Sequence, residues 1–346
     1  MVHCEGGDRT LDRHGYFAAR RLPQQRKLAD GFDAWKTAGL GYTIPDGAGT
    51  QDGQRDFRHK DLAMKPDQSA IDKWSGVAPF WEKYREIIWQ MFAPVTQALV
   101  EDAQIASGHA VLDVGTGAGE PALSVVPVVG PEGKVVGIDP APQMVAAARR
   151  AAEHRGVMNT HFEVASADDL PYPLDSFDAV LSRFGAMFFP SPVAAIRQML
   201  GVLRPGRKLA LAVWGPVERN PFFETLSRVV DEYVESPPPA PDDPDPFRFA
   251  EPGRLRDVVG EAGALAPSER LLRFTIQAPI SAEEFWTLRC EMSEKLRERV
   301  AMLSIQQLTE VKREALEALS AYSTDGVMNF PAQVLIVSGT KSGTAC

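Results

Sequence analysis

Two hydrophobic rhythms alternate along this chain. Phe80, Trp81, Tyr84, Ile88 and Trp89 recur at roughly four-residue steps with charges between them, the spacing of one buried helix face. A second helix is expected from Pro94 to about Glu101. The rhythm then shortens. "HAVLDV" is a continuous apolar run, as in a strand covered on both faces, and "EPALSVVPVV" behind it reads as a helix. "KVVGID" is again a strand, and "APQMVAAARRAAEHRG" is a patterned helix whose stop at Gly156 suits a left-handed cap. "THFEVA" and "FDAVLSRF" give two more strands, "VAAIRQMLGVL" a helix halted by "RPG", and "RKLALAVW" a further strand.

Strands that alternate with helices build a parallel, doubly wound α/β sheet, because each parallel connection needs a crossover. Such a sheet holds its ligand beyond the carboxyl ends of its strands. The glycine-rich turn after Val114, Asp139, Ala167 and Arg183 each end or follow a predicted strand, so they converge on one crevice. Past Trp214 the alternation lapses. "NPFFETLSRVVDEYV" and "GRLRDVVGEAG" are helical, while prolines keep "SPPPAPDDPDPF" irregular. "LLRFTI" and "AQVLIVSGTK" are strands separated by helical residues 281–325, read here as a cap inserted near the crevice mouth. Residues 1–63 are polar, glycine-dotted and without a core face, and are expected to be a disordered leader. The alternative is an ordered accessory segment packed on the core.

Residues 111–123, "VLDVGTGAGEPAL", pose the chemical question. A glycine turn between a strand and a helix suits a nucleotide cofactor. Gly115, Gly117 and Gly119 give G-x-G-x-G, and Glu120 stands where a dinucleotide fingerprint has its third glycine. There Glu120 would bring a carboxylate near two phosphates, with Asp113 a second. A cationic, phosphate-free ligand such as S-adenosylmethionine meets no such objection. Asp139 ends the second strand and can accept from both ribose hydroxyls of either cofactor, or simply cap the helix that follows.

"VLDVGTGAGEPAL", "GKVVGIDPAPQMVAAAR", "FEVASADDLPYPLDSFDAVLSRFGAMFF" and "VLRPGRKLALAVW" together resemble the successive motifs of class I S-adenosylmethionine-dependent methyltransferases. The resemblance is to the group containing the ubiquinone/menaquinone C-methyltransferases, and it is strong over residues 108–215. It implies a Rossmann-like, mainly parallel seven-stranded sheet with an antiparallel last strand. The expected organisation is an N-terminal helical lid over 64–104 and a cofactor-binding core over 105–218. A helical cap over 219–325 carries a strand near 270–277, and a final strand and tail occupy 326–346. The resemblance further implies that Gly115, Thr116, Gly117 and Gly119 line the methionine and ribose, with Asp113 behind them. Asp139 would hold the ribose, Met144 would pack by the adenine, and Ser166, Ala167 and Asp168 would meet the adenine edge. Arg183 would stand where the methionine end meets the acceptor. Ser166 departs from the Asp or Asn often found at its position.

Composition narrows the acceptor. A net charge of −9 and a pI near 5.3 disfavour a nucleic-acid backbone as partner. The segment after the fourth strand, "SRFGAMFF", is not the N/D-P-P-aromatic motif of amino-methylating nucleic-acid enzymes. Phe184, Met187, Phe188 and Trp214 suggest an apolar pocket wall, with Trp81 and Tyr84 added from the lid, although an aromatic helical stripe is also ordinary core. A small apolar or aromatic molecule is the expected acceptor, methylated on carbon or oxygen. Methyl transfer from a sulfonium needs alignment and exclusion of water, and no residue is assigned as catalytic. Cys4, Cys290 and Cys346 form no C-x-x-C pair, the histidines are scattered, and no metal is expected. Few cysteines and no apolar leader or spanning run point to a cytoplasmic setting. The competing readings are a non-catalytic S-adenosylmethionine-binding scaffold and an NAD(P)-dependent oxidoreductase.

Overall fold

Five apolar runs of the middle third become neighbouring parallel strands. In the computed structural model, which describes residues 68–235 and 243–343, β1 (Ala110–Val114) lies between β2 (Lys134–Asp139) and β4 (Phe177–Arg183). The sheet continues outward to β3 (Thr160–Val164) on one side and β5 (Leu203–Trp214) on the other. Helices α3 (Ala122–Val129), α4 (Pro142–Arg155) and α5 (Pro192–Val202) make the crossovers. Every residue of β4 is buried, which is why its run lacks alternation. Gly156 caps α4 with φ 63°, in the left-handed conformation its sequence position implied.

The polarity of the sheet changes beyond β5. Strand β8 (Val327–Thr340) pairs antiparallel with β5, from Lys208↔Thr340 to Trp214↔Val334. Strand β6 (Leu265–Ala278) pairs antiparallel with β8 along its whole length. The path is therefore β3-β2-β1-β4-β5-β8-β6, with short β7 (Ser323–Thr324) pairing β8. The mainly parallel sheet with an antiparallel late strand is as the sequence implied, but among the described residues it has eight strands rather than seven. The extra one arises at Asp325-Gly326, which adopt φ 52° and 77° and fold β7 back as a tight hairpin.

Helix boundaries show a second difference. Among the described residues the first two helices are α1 (Gln68–Lys83) and α2 (Arg85–Asp102), parted at Tyr84. No helix starts at Pro94. That proline lies inside α2, because the buried face of Ile88, Met91, Phe92, Val95 and Leu99 holds the helix through it. Helix α6 (Pro221–Asp231) follows β5 and α7 (Arg254–Glu261) precedes β6. The segment between β6 and β7 divides into α8 (Ala282–Met292), α9 (Glu294–Ala301) and α10 (Ile305–Ser320). Capping boxes Ser281/Glu284 and Ser304/Gln307 open α8 and α10, and Ser293 caps α9. The expected leader, 1–63, lies outside the described residues. Among the described residues no helix is long and apolar enough to cross a membrane.

A buried amide ties the start of α6 to the sheet. Asn220 Nδ2 donates to the carbonyls of Gly215 (3.2 Å), Pro216 (2.9 Å) and Gln333 (3.2 Å). Its Oδ1 accepts from the Gln333 amide at 3.0 Å, so one side chain joins the end of β5, the start of α6 and β8. Asn220→Ala would leave these groups buried and unpaired. We expect it to cost about 2–3 kcal/mol, read as a lower urea midpoint at unchanged slope.

Candidate active site

The crevice opens where the connections leave β1 and β4 on opposite sides of the sheet. Backbones approach closely there. A Cβ on Gly115 would lie 3.4 Å from Gly185 Cα, and one on Gly185 would lie 2.6 Å from Ser182 Oγ. Gly115, Gly117 and Gly119 all have positive φ (75°, 55° and 106°), which explains glycine at each. The Gly115 and Thr116 amides both donate to the Ile138 carbonyl at 2.9 Å, folding the turn over the end of β2.

Two buried carboxylates fasten this turn. Asp113 Oδ2 accepts from Thr116 Oγ1 at 2.6 Å and from the Ala122 amide at 3.1 Å. Burial raises Asp113 to about 7, opposed by those hydrogen bonds and by the Arg183 charge. Asp139 accepts from the Gly117 amide at 3.0 Å and the Ala141 amide at 2.9 Å. Desolvation raises it to about 6 against those two amides. Asp139 thus holds the turn and caps α4 at once, so the two roles considered for it are compatible.

After β3, Ser166, Ala167 and Asp168 form a small turn with an isolated bridge from Ser166 to Asp169. The Asp168 amide donates to Ser166 Oγ at 3.4 Å, and burial pushes the Asp168 carboxyl up. Among the described residues Oδ1 of Asp168 and Oδ1 of Asp113 are buried acceptors without a hydrogen bond. Met144 is buried with Ala118, Ala141 and Ala147 against Val77 and Ala78 of α1. Helix α1 therefore lies over the glycine turn. Trp81 Nε1 on α1 is a buried donor with no partner.

Glu120 behaves differently from its sequence reading. Its carboxylate accepts from Arg155 Nη1 at 2.8 Å and from Ser124 Oγ at 2.5 Å. The charge that weighed against phosphates is compensated, because the fold brings the end of α4 beside the start of α3. Asp113 and Asp139 are the acids that remain at the turn.

An aromatic wall continues from the turn. Phe184, in left-handed backbone (φ 63°), stacks on Trp214 with centroids 4.3 Å apart and planes 2° apart. Phe92 meets Phe184, Trp214 and Phe222 edge-on at 5.3, 5.7 and 6.2 Å. Phe223 meets Trp214 at 4.8 Å. Arg183 is buried behind the wall, its Nη1 donating to Thr96 Oγ1 at 2.8 Å, its guanidinium 5.8 Å from the Phe92 ring. Burial lowers its pKa, offset by the charges of Glu120 and Asp113. Met187 is buried near this end, and Phe188 meets Trp74 at 5.0 Å, which in turn meets Trp81 at 6.3 Å. Tyr84 is placed otherwise: its hydroxyl donates to Glu291 of α8 at 2.6 Å, beside Lys83 on the same oxygen.

Sequence reasoning missed Phe92, Thr96, Phe222, Phe223 and Arg289. The paired phenylalanines directly after the strand-ending "WGPVERNP" were a signal for the second wall element. Nothing local marks Arg289, which lies on α8, remote in sequence from the wall. The described histidines stand apart: His109 precedes β1 at the opposite end of the sheet, His154 ends α4 and His161 is on β3. Among the described residues no cluster of three or more metal-binding side chains occurs.

The residues of the turn fit S-adenosylmethionine on chemical grounds. Buried acids with vacant acceptor capacity suit a ligand carrying an amine, a sulfonium, ribose hydroxyls and an adenine amine. Comparison with known proteins agrees. Residues 111–206 match a methyltransferase domain family. The chain is 34% identical over 137 residues to the aklanonic acid methyltransferase of Streptomyces sp. (strain C5), covering 40% of this chain and 61% of that protein. It is 29% identical over 266 residues to the nocamycin O-methyltransferase of Saccharothrix syringae, covering 72% and 91%. The 34%-identical relatives are matched over only 53% to 61% of their length. Among solved structures, the (4+2) cyclase SpnF superposes with a TM-score of 0.51 at 20% identity, over 80% of this chain and 97% of that one. That likeness establishes the fold and says nothing of the reaction. Residues 111–206 of this chain are therefore a methyltransferase domain.

Proposed function

We propose that the protein transfers the methyl group of S-adenosylmethionine to carbon or oxygen of a small apolar or aromatic acceptor. The observation that carries this reading is the junction of two surfaces: a glycine turn backed by Asp113 and Asp139, and an aromatic wall of Phe92, Phe184, Trp214, Phe222 and Phe223. The relatives point the same way, since two are named for methylating small molecules.

Each residue has a physical part. Gly115, Gly117 and Gly119 let the main chain approach the amino acid and ribose. Asp139 retains lone pairs for the ribose hydroxyls after accepting from Gly117 and Ala141. Asp168 offers its unpaired oxygen to the adenine amine, beside Ser166 and Ala167, and Met144 packs near the same ring. When bound, the sulfonium supplies a methyl group already activated for displacement. The chain's task is then to fix the acceptor in line with it and to keep water out. Phe184, Met187, Phe188 and Trp214 form the dry side of that space, Trp81 and helix α1 roof it, and Arg183 backs the wall through Thr96.

Asp139→Asn removes the charge and one acceptor at the ribose. We expect S-adenosylmethionine and S-adenosylhomocysteine affinities to fall together, by about tenfold to a hundredfold, in calorimetric titration. Equal losses are expected because the two ligands share the ribose. Unchanged affinity for both would refute the assignment.

The raised carboxyls add a pH dependence. Asp139 near 6 and Asp113 near 7 hold protons in the free protein below those values. A cationic ligand with donor hydroxyls favours the charged forms, so binding releases protons between about pH 5.5 and 7.5. Affinity for S-adenosylmethionine should therefore rise with pH through this window and level above it. In the free protein the sign is opposite. Both folded values lie above the ordinary carboxyl value, so these two groups favour folding most at low pH, and that contribution is lost as pH rises through 6 to 7. Titrations in buffers of different ionisation enthalpy should show the released protons directly.

A further inference from the structure

Among the described residues Arg289 is a buried cation with no counter-charge. It lies on α8 and is 8% exposed, and among the described residues its guanidinium makes no hydrogen bond and no ion pair. Its Nε is fully enclosed and unpartnered. The guanidinium carbon sits 4.7 Å from the centroids of both Phe222 and Phe223. Other buried arginines of this chain are treated differently. Arg299 donates to Asp231 and to the Val234 carbonyl, and Arg183 donates to Thr96 with Asp113 and Glu120 within electrostatic reach. Among the described residues the one titratable neighbour that acts on Arg289 is the Cys290 thiol, itself pushed up by burial and so neutral.

Taking a guanidinium out of water is expensive, and two ring faces offset only part of that cost. A planar fork of five donors, left unpaired in an apolar setting, is complementary to a carboxylate or another anionic oxygen. Its position says which ligand would bring that oxygen. Phe223 meets Trp214, Trp214 stacks on Phe184, and Phe184 adjoins Gly185 at the glycine turn. Arg289 thus stands at the far end of the wall from the turn, on the same run of rings.

We infer that the acceptor is a flat, apolar anion whose carboxylate or ionised hydroxyl is bound by Arg289 while its ring system lies along Phe223, Trp214 and Phe184. This rests on the methyl-transfer reading for the identity of the site, and it adds the acceptor's charge. Arg289 is a specificity-determining residue here, not a participant in the transfer. Anchoring one end of the acceptor fixes which of its atoms faces the turn.

The test uses a matched pair of probes on the full chain: 2-naphthoate and its neutral analogue 2-naphthamide, titrated with and without S-adenosylhomocysteine. We expect naphthoate to bind about tenfold or more tightly than the amide. Arg289→Gln should abolish that ratio while leaving S-adenosylhomocysteine affinity as in the parent chain, and Arg289→Lys, which keeps the charge, should retain part of it. A merely structural Arg289 would change fold or affinity without changing the acid-to-amide ratio. Equal binding of the two probes, no binding of naphthoate at millimolar concentration, or a ratio that survives in Arg289→Gln would overturn the inference. Failure of S-adenosylhomocysteine to bind the parent chain would instead overturn the methyl-transfer reading, and the probe ratio measured without it would still judge Arg289.

Discussion

Asp139 accepts one hydrogen bond from the Gly117 amide and another from the Ala141 amide, and so ties a turn made of glycine to the first residues of α4. Glycines at positive φ have no preference strong enough to hold one shape by themselves. Here the shape is held from outside, by two carboxylates that have been buried to do it. Asp113 performs the same service from β1, through Thr116 and the amide at the start of α3. Burial makes both acids reluctant to ionise, and the amides make them willing again. The balance leaves each near neutrality, where a cationic ligand can tip it.

The rest of the site is arranged around that turn by the sheet. Because the connections leave β1 and β4 in opposite directions, the ends of these strands are covered by elements from elsewhere in the chain, α1 and α2 before them and the segments after β4. Gly185 allows the segment after β4 to pass within contact distance of Gly115, and Phe184 is then turned, by its left-handed backbone, onto Trp214. Antiparallel β8 extends past the end of β5, and its outer half gives α6 and α8 a surface to pack on. Phe330 on that half meets Phe222 and Phe285. Asn220 is the bolt of this arrangement, because α6 carries Phe222 and Phe223, and through them the surroundings of Arg289.

Much of this was legible in one dimension. The buried strands β1, β2, β4 and β5, the left-handed stop at Gly156, and the glycine turn with its acids each depend on contacts a few residues away. Local rules therefore find them. The helix through Pro94 was not legible, since a proline's usual cost was outweighed by the apolar face that α2 buries against the sheet. Nor was the pairing of Glu120 with Arg155, which needs α3 and α4 side by side and which removes one of the charges that seemed to discriminate between cofactors. Tyr84 fell on an aromatic stripe, yet its hydroxyl is occupied by Glu291 from the distant α8.

By itself, the sequence determined the alternation of strand and helix, the direction in which the crevice opens, and the chemistry of the turn. Those follow from side-chain periodicity and from residues close in the chain. Only the tertiary structure decided which distant side chains pack together beyond the strand ends. Phe92 comes from α2, Phe222 and Phe223 from α6, and Arg289 from α8, and they become neighbours only after the sheet has formed. The charge of a buried group has the same origin. Among the described residues Arg289 has no carboxylate paired with it, a property of the assembled fold that no stretch of the chain records.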